Sequence, residues 1–244
     1  MIDFIIKLPI FLVTWLFFTY IIPIFSICGY FLCINQHIWD DSSFIIQKIL
    51  NVKIIMLNNN KIINNGIILT NHRSFADCVI DPYIFKCPGI GRWMALAASG
   101  IFGLFSLFFN RAIVINRNLT RNEIYNKIKI SSLYYFYPEG TRCSHVQLPD
   151  NYKNIDLKMG LLKSIFEDTQ NKCIQIIIHK NKENILNEKK LIIGVGVNLY
   201  YNINEACIYT RDYDTFDSFI DKIKLEWFKS WNEIITYENQ TISS

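Results

Sequence analysis

The most constraining feature of this sequence is a long apolar stretch near its N terminus. No charged residue occurs between residues 8 and 34, a run of 27 residues. As one straight helix this run would be about 40 Å long, against a hydrocarbon core of about 30 Å. Pro23 removes a helical hydrogen bond, so we expect two helical pieces, 8–22 and 24–34. We therefore predict a membrane-anchoring helical hairpin within residues 1–40. A single kinked span and a buried helix pair are the alternatives.

The composition excludes several classes of protein. With 51% hydrophobic residues, the chain has far more apolar side chains than a disordered polymer. A net charge of +4 with only 19% charged residues is too weak for a nucleic-acid binder, but it suits a surface that faces anionic lipid or phosphate. The seven cysteines include no C-x-x-C pair, so we interpret them as small core residues in a reducing compartment rather than as disulfides. The four histidines lack zinc-ligand spacing, and we predict no metal.

After residue 40 the pattern changes to alternating strands and helices. Short β-branched or apolar runs are bounded by Asn and Gly, and amphipathic helical segments lie between them. This alternation predicts an α/β domain over residues 41–244, with a single mixed, mostly parallel sheet flanked by helices. The predicted strands are 52–57, 67–70, 113–115, 133–137, 173–178, 191–197 and 206–210, and the predicted helices are 44–50, 75–86, 121–130, 159–168 and 215–235.

The first candidate site follows the predicted strand at 67–70. His72 and Asp77 are five residues apart, which would place them about 140° apart around one continuous helix. They can meet only if the helix begins between them, and Ser74 is a suitable cap for that start. The carboxylate would then hold one ring nitrogen and leave the other free to accept a proton. The alternative is a histidine that merely caps a turn.

The second candidate site follows the predicted strand at 133–137. Gly140 allows a close backbone turn, Arg142 offers a forked guanidinium for phosphate, and Thr141 offers a hydroxyl and backbone donors. Phosphate would repel Glu139, so this carboxylate either orients an arginine or accepts a hydrogen bond from a substrate hydroxyl. The alternative is an ordinary Pro-Glu-Gly surface turn.

Together these two blocks resemble motifs of the membrane-bound glycerolipid acyltransferase family, which includes 1-acyl-glycerol-3-phosphate acyltransferases. His72 with Asp77 resembles its first motif, HX4D, and residues 137–142 resemble its third. Residues 112–117, which end in Arg117, resemble its second motif, and the resemblance covers roughly residues 45–200. The fourth motif usually carries prolines, but residues 173–178 contain none. This departure bears on acyl-chain selectivity and acceptor identity.

The resemblance implies an O-acyltransferase that moves a fatty acyl group from acyl-CoA or acyl carrier protein to the free hydroxyl of a lysophospholipid. The implied acceptor is 1-acyl-glycerol-3-phosphate, which gives phosphatidic acid. His72 would be the general base, held by Asp77. Substrate binding would fall to Arg117, Glu139, Gly140, Thr141 and Arg142, and Arg73 and Arg111 are either further phosphate ligands or solvated surface residues.

Direct transfer without an acyl-enzyme agrees with the sequence, because no G-x-S-x-G nucleophile elbow is present. The acyl thioester is a co-substrate, and no resident cofactor is implied. The implied partners are the two substrates and the bilayer, not nucleic acid, with the protein on a membrane and its catalytic face toward the cytoplasm. The alternatives are an acyltransferase for another lysophospholipid and a catalytically silent lipid-binding membrane protein.

Overall fold

The computed structural model describes residues 2–24, 38–108, 110–116, 118–140, 150–168, 170, 172–188 and 190–242. The helices in chain order are α1 (Ile2–Leu16), α2 (Ile38–Ile49), α3 (Ala76–Phe85), α4 (Trp93–Ala98), α5 (Gly100–Phe108), α6 (Arg121–Ile128), α7 (Met159–Phe166), α8 (Lys182–Ile185) and α9 (Phe216–Ile242). The strands are β1 (Lys53–Met56), β2 (Gly66–Thr70), β3 (Gly89–Arg92), β4 (Ala112–Ile115), β5 (Leu133–Phe136), β6 (Cys173–Lys180), β7 (Leu186–Asn187), β8 (Ile192–Ile193), β9 (Asn198–Ile203) and β10 (Ile208–Tyr209).

These elements form two compact units, each assembled from three segments of the chain. The first unit comprises Met1–Lys53, Ser74–Asn116 and Asn181–Asn198. The second unit comprises Ile54–Arg73, Arg117–Lys180 and Leu199–Ser244. The boundary that we predict near residue 40, between a membrane segment and an α/β domain, stays a prediction, because residues 25–37 lie outside the described residues.

The second unit contains the strands that lead to both candidate sites. β2 pairs in parallel with β5 on one side and with β6 on the other, and Leu69 is in register with both Phe136 and Ile176. β9 and β10 pair with β6 in the antiparallel sense. Every residue of β2 is buried, and α9 packs across β6 with Phe219, Ile223, Trp227 and Trp231 buried at helical spacing.

The first unit combines most of the remaining helices with two short strand pairs. β3 and β4 are parallel, and β7 and β8 are antiparallel. Within this unit α2 packs on α3, and α8 packs on α3 as well. The predicted fold class, α/β with a mixed, mostly parallel sheet flanked by helices, is confirmed.

The N-terminal helix is longer than the position of its proline suggested. Our prediction that the helix ends at residue 22 is wrong, because residues 22–24 continue it through Pro23. The distortion lies one turn earlier, in a π-helical turn over Phe17–Ile21, where the Ile22 N–H donates to the Phe17 carbonyl. Such a wider turn accommodates the hydrogen bond that proline cannot make. The second predicted piece falls mainly on residues outside the described ranges, so the choice between a hairpin and a kinked span is untested.

This helix has one buried side and one exposed apolar side. The segment Lys7–Ile24 is long and apolar enough to cross a membrane, judged by length and composition. Phe11, Phe18 and Ile22 are buried within the first unit, whereas Ile10 and Val13 are 61% and 67% exposed. Such an uncovered apolar surface suits a candidate anchor.

Two further sequence-based expectations need correction. The strand predicted at 191–197 is limited to β8, because Gly196 has a φ of +73° and turns the chain toward β9, which the sequence did not reveal. The prediction of reduced cysteines is also wrong for one pair, since a disulfide joins Cys173 to Cys207. The antiparallel pairing of β10 with β6 brings these two residues, 34 positions apart, to a Cα–Cα distance of 5.5 Å.

Candidate active site

The two predicted motifs of the second unit meet at one edge of its sheet. Because β2 and β5 are parallel and in register, their carboxyl ends lie side by side. His72 follows β2 by two residues, and Glu139 follows β5 by three. Sites in open α/β folds form at this edge of the sheet, where loops leave the strands.

His72 is fixed through its backbone and its ring. Its N–H donates to Oε2 of Glu139 over 2.7 Å. Its imidazole stacks on the ring of Tyr137, with the centroids 4.3 Å apart and an interplanar angle of 18°. The side chain is only half-buried. The ring is thus oriented by its neighbours and still accessible at the edge of the sheet.

The carboxylate of Glu139 links this histidine to a buried arginine. While one oxygen accepts from the His72 N–H, the other lies 3.9 Å from Nη2 of Arg73. The guanidinium of Arg73 also lies over the ring of Trp231, 4.4 Å from its centroid. Arg73 is therefore not a solvated surface residue, and Glu139 contacts an arginine, as one of our two interpretations requires.

The turn after Glu139 requires glycine. The N–H of Gly140 donates to the carbonyl of Tyr137 over 3.0 Å, and its φ is +72°. A Cβ at this position would lie 2.7 Å from Cγ of Lys158, whose own N–H donates to the carbonyl of Pro138. The turn is thereby tied to the start of α7. Arg117, Thr141 and Arg142, predicted to bind substrate, lie outside the described residues.

Asp77 lies in the first turn of α3, within the first unit. The Ala76 N–H donates to Oγ of Ser74 over 3.1 Å, and the Ser74 N–H donates to Oδ2 of Asp77 over 3.0 Å. The helix begins at Ala76, between His72 and Asp77, which is the condition that a contact between them requires. Our expectation that Ser74 caps it is wrong, because the N-cap is Phe75 and no side chain makes the cap hydrogen bond. Because the two residues belong to different units, the contact itself stays a prediction.

Asp77 has a buried cation as a neighbour, which the sequence analysis missed. Nζ of Lys182 lies 3.4 Å from Oδ1 of Asp77 and donates a hydrogen bond to Asp81, and all three side chains are fully buried. The one feature of the sequence that could have indicated this role is the position of Lys182, two residues after the end of β6. A lysine side chain is usually solvated, so the residue type did not indicate this role.

A second histidine, His179 near the end of β6, has a structural task. The side chain of Asn71 accepts from the His179 N–H and donates to its carbonyl, while Nε2 of His179 lies 2.6 Å from the Asn71 carbonyl. Because a carbonyl only accepts, this ring nitrogen carries a proton. The fully buried His179 thus joins β2 to β6 and leaves His72 as the more accessible imidazole.

A buried cysteine in the first unit is not poised for nucleophilic chemistry. Burial raises the pKa of the Cys87 thiol to about 12, while the Arg111 charge lowers it and the Asp81 charge raises it further. A protonated, buried thiol is a poor nucleophile. Arg111 itself lies at the amino end of β4, away from the carboxyl edge where sites of parallel strands form.

Comparison with known proteins bears on the fold. No protein-family model matches the sequence, and no curated protein sequence matches it. Among solved structures, the chain is similar to the crystal structure of the 1-acyl-sn-glycerophosphate (LPA) acyltransferase PlsC from Thermotoga maritima. The similarity has a TM-score of 0.66 at 15% identity and covers 96% of each chain. The resemblance that the motifs suggested is thus confirmed at the level of the fold.

Proposed function

We propose that this protein is an O-acyltransferase that transfers a fatty acyl group from acyl-CoA or acyl carrier protein to the hydroxyl of a lysophospholipid. The acceptor that we favour is 1-acyl-glycerol-3-phosphate, with phosphatidic acid as the product. The observation that carries the proposal is the fold shared over 96% of the chain with an acyltransferase named for that acceptor. The HX4D residues His72 and Asp77 supply the chemical reason to extend the likeness to activity.

In the proposed reaction His72 acts as the general base. It takes the proton of the acceptor hydroxyl as the oxygen attacks the thioester carbonyl carbon. The carbon–sulfur bond then breaks, and the thiolate leaves and takes up the proton. Support for this role comes from the half-buried ring of His72, held by Tyr137 and Glu139 at the carboxyl ends of β2 and β5. Asp77 would fix the tautomer and stabilise the imidazolium.

General-base assistance accounts for only part of the rate. It contributes about 10²–10⁴-fold, or about 3–5 kcal/mol, so positioning of the acceptor must supply much of the rest. We assign the acceptor phosphate to Arg117, Thr141 and Arg142, with Gly140 allowing the backbone to approach it. The buried pair of Arg73 with Glu139 fixes the position of the Glu139 carboxylate rather than binding phosphate, since both side chains are at most 8% exposed.

We further propose that the protein works on a membrane surface with the N-terminal helix as its anchor. Trp15 of α1 packs on Phe75, which lies in the segment between His72 and Asp77, with ring centroids 4.9 Å apart. An anchor in contact with this segment would hold the first motif close to the lipid boundary. A lysophospholipid and its two-tailed product would then remain at the bilayer throughout the reaction. The cytoplasmic orientation of the catalytic face is also part of the proposal.

The direct test is acyl transfer by the purified full-length protein in detergent. Labelled acyl-CoA and labelled acyl carrier protein are each offered with a panel of lysophospholipids that differ in headgroup. We expect labelled phosphatidic acid from 1-acyl-glycerol-3-phosphate, and a loss of about 10²–10⁴-fold in its rate of formation in His72→Ala. His179→Asn is not a suitable control, because His179 joins two strands. The variant matched to His72→Ala is His72→Asn, which also removes the imidazole but keeps a polar side chain.

Three outcomes separate the alternatives. Transfer to a different lysophospholipid would retain the enzyme class and replace the acceptor. Binding of lysophospholipid without transfer to any acceptor, from either donor, would favour the non-catalytic lipid-binding protein. Full activity of a folded His72→Ala protein would refute the role of His72 in catalysis.

A further inference from the structure

We propose that Lys182 is a positioning residue for Asp77, whose buried ammonium group keeps this carboxylate ionised and aimed. The inference deepens the proposed function and rests on it, because the role of Asp77 as the partner of the catalytic base belongs to that proposal. Lys182 lies outside every motif that the sequence analysis singled out. Its position in the fold, rather than its neighbours in sequence, assigns it this role.

The first argument is electrostatic. Asp77 and Asp81 are one helical turn apart on α3, and their carboxylate oxygens lie within 4.8 Å of each other. Both side chains are fully buried. Two carboxylates so close together in a medium of low dielectric constant do not readily ionise together unless a cation compensates them. Lys182 lies 3.4 Å from Oδ1 of Asp77 and donates to Asp81, so it supplies that compensation to both.

The second argument is geometric. The two oxygens of Asp77 have separate neighbours, since Oδ2 accepts from the Ser74 N–H and Oδ1 faces the ammonium of Lys182. The main chain of Lys182 is attached to the same turn, because Oγ of Ser74 donates to its carbonyl over 3.1 Å. The side chain and the backbone of Lys182 thus hold the Asp77 carboxylate and Ser74 in a fixed relation. A carboxylate held at both oxygens has little rotational freedom.

Other charged groups of the first unit lie near Asp77, Asp81 and Lys182 and can affect the pH dependence of Asp77. α8 also carries Glu183, which is half-buried beside Lys182. Arg111 and Asp81 both influence the buried thiol of Cys87, which places Arg111 in the surroundings of Asp81. α2, which also packs on α3, contributes Lys48, but this lysine is exposed and lies over the ring of Phe44.

In the proposed reaction Asp77 stabilises the imidazolium of His72, and Lys182 keeps Asp77 ionised. Asp77 can stabilise a positively charged imidazole only while it is an anion. Without the ammonium group, a buried carboxylate takes up a proton at a higher pH. A general base that depends on this carboxylate then loses activity at the acidic end of the pH range. Lys182 would therefore set the lower end of the pH range in which the enzyme works.

The test uses the full-length protein and variants chosen by charge. Lys182→Met alone leaves two buried carboxylates uncompensated and risks misfolding. The double variant Lys182→Met with Asp81→Asn restores the wild-type net charge of the three side chains while Asp77 still loses its cation. Lys182→Arg keeps the charge, and Lys180→Met removes a lysine from a different ion pair, with Glu238. The measurement is kcat/KM for acyl transfer as a function of pH.

Asp81→Asn alone, which keeps Lys182, is the reference for the double variant. We expect the acidic limb of the double variant to lie about one pH unit higher than that of Asp81→Asn, with kcat/KM near its acidic end about tenfold lower. Lys182→Arg should keep the limb in place, and Lys180→Met should match the wild type throughout. A folded double variant with the same profile as Asp81→Asn would overturn the proposal. So would an equal loss of activity at every pH that Lys182→Arg does not restore, because a purely structural role predicts that result.

Failure of the proposed function is distinguishable from failure of this inference. If the wild-type protein transfers no acyl group, the function itself is wrong and the variants cannot revive it. If the wild type is active and Asp77→Asn is not, the function stands. The profile of the double variant then decides the role of Lys182 alone.

Discussion

At the residue scale, the part of the site on the second unit depends on one carboxylate that serves two neighbours. Glu139 accepts from the His72 N–H and pairs with the buried Arg73. A charged acceptor in such a place orients both motifs at once, because His72 follows β2 and Glu139 follows β5. Neither neighbour is adjacent to Glu139 in the sequence, so only the parallel pairing of these strands brings them together.

Replacement of Glu139 by glutamine tests this pairing. Gln keeps the size of the side chain and one acceptor oxygen but removes the charge that Arg73 faces. We expect Glu139→Gln to lower the free energy of unfolding by about 2 kcal/mol, the cost of weakening a hydrogen-bonded buried charge. The measurement is urea unfolding in detergent, followed by circular dichroism.

The chain offers a matched control for this prediction. Lys163 and Glu167 form an ion pair of 4.0 Å, close to the 3.9 Å between Arg73 and Glu139, but their side chains are 49% and 55% exposed. Water screens such a pair, so Glu167→Gln should change stability by less than about 0.5 kcal/mol. Equal effects of the two glutamines would mean that burial adds nothing to the Glu139 pair.

Gly140 allows a second prediction at this scale. An alanine there would adopt a φ of +72° and would bring its Cβ to 2.7 Å from the Lys158 side chain. We expect Gly140→Ala to cost about 1–2 kcal/mol of stability, because left-handed backbone is unfavourable for alanine and Lys158 must move. Gly160→Ala is the control: nothing lies within 4 Å of its added Cβ, and it lies in α7, so alanine should stabilise the protein by up to about 1 kcal/mol. Destabilisation by both alanines in thermal unfolding would contradict this account.

At the element scale, α9 is held to the end of β9 by a second buried carboxylate. Glu226 on α9 accepts from Lys222, Lys229 and Asn204, the residue that follows β9. Burial raises its pKa, but these three hydrogen bonds outweigh burial and hold the pKa at about 2, below the ordinary 4.5. The side chain is only 8% exposed, so solvent screens these contacts little.

The sign of the resulting pH dependence follows from the depressed pKa. The unfolded chain binds a proton at Glu226 near pH 4.5 and the folded protein only near pH 2, so the stabilisation is complete above pH 4.5 and is lost as the pH falls toward 2. We expect Glu226→Gln to lose about 3 kcal/mol at pH 7, with the difference from wild type shrinking between pH 4.5 and 2. Asp221→Asn, at an exposed position of the same helix, should show little change at either end. A difference that is constant with pH in urea unfolding would refute the assignment.

The elements also show how far the sequence determined the fold. β2, β5 and β6 were predictable because each is mostly apolar and buried, and α3, α6 and α7 overlap predicted helices. β3, α4 and α5, which lie between β2 and β5 in the chain, were not predicted. β9 escaped prediction because it begins at Asn198 and contains Asn202, whose amide donates to Glu233 and to the Ser230 carbonyl within the packed second unit. Lys182 escaped for the same reason, since its burial depends on carboxylates a hundred positions earlier.

At the scale of the whole molecule, the disulfide bears on where the protein resides. Disulfides persist in oxidising compartments and are rare in the reducing cytoplasm. The disulfide and the proposed cytoplasmic catalytic face therefore require different compartments. The disulfide predicts that Cys173 and Cys207 are recovered as one linked peptide pair after alkylation of intact membranes and proteolysis without reductant, and this result would refute the proposed cytoplasmic face. Recovery of both cysteines as separately alkylated peptides would mean that the pair is reduced in its native membrane, in agreement with a cytoplasmic face.

The proposed membrane attachment would depend on the exposed side of α1, and a point substitution tests it better than a deletion. Removal of the helix would also remove Phe18 and Ile22, which are buried residues of the first unit. Loss of membrane binding could then not be distinguished from unfolding. Val13 is 67% exposed on α1, and Val195, in a turn of the same unit, is 68% exposed. The two valines thus match in residue type and exposure but differ in the surface to which they belong.

We expect Val13→Asp to reduce flotation with neutral phosphatidylcholine vesicles by at least about tenfold, and Val195→Asp to leave it unchanged. An aspartate in the hydrocarbon region costs about 2.5–3.5 kcal/mol, whereas at a water-exposed turn it costs almost nothing. Neutral lipid removes any general repulsion of the added charge. Equal flotation of the two variants would show that the outward side of α1 does not enter lipid, and the anchor would then have to lie elsewhere in the chain.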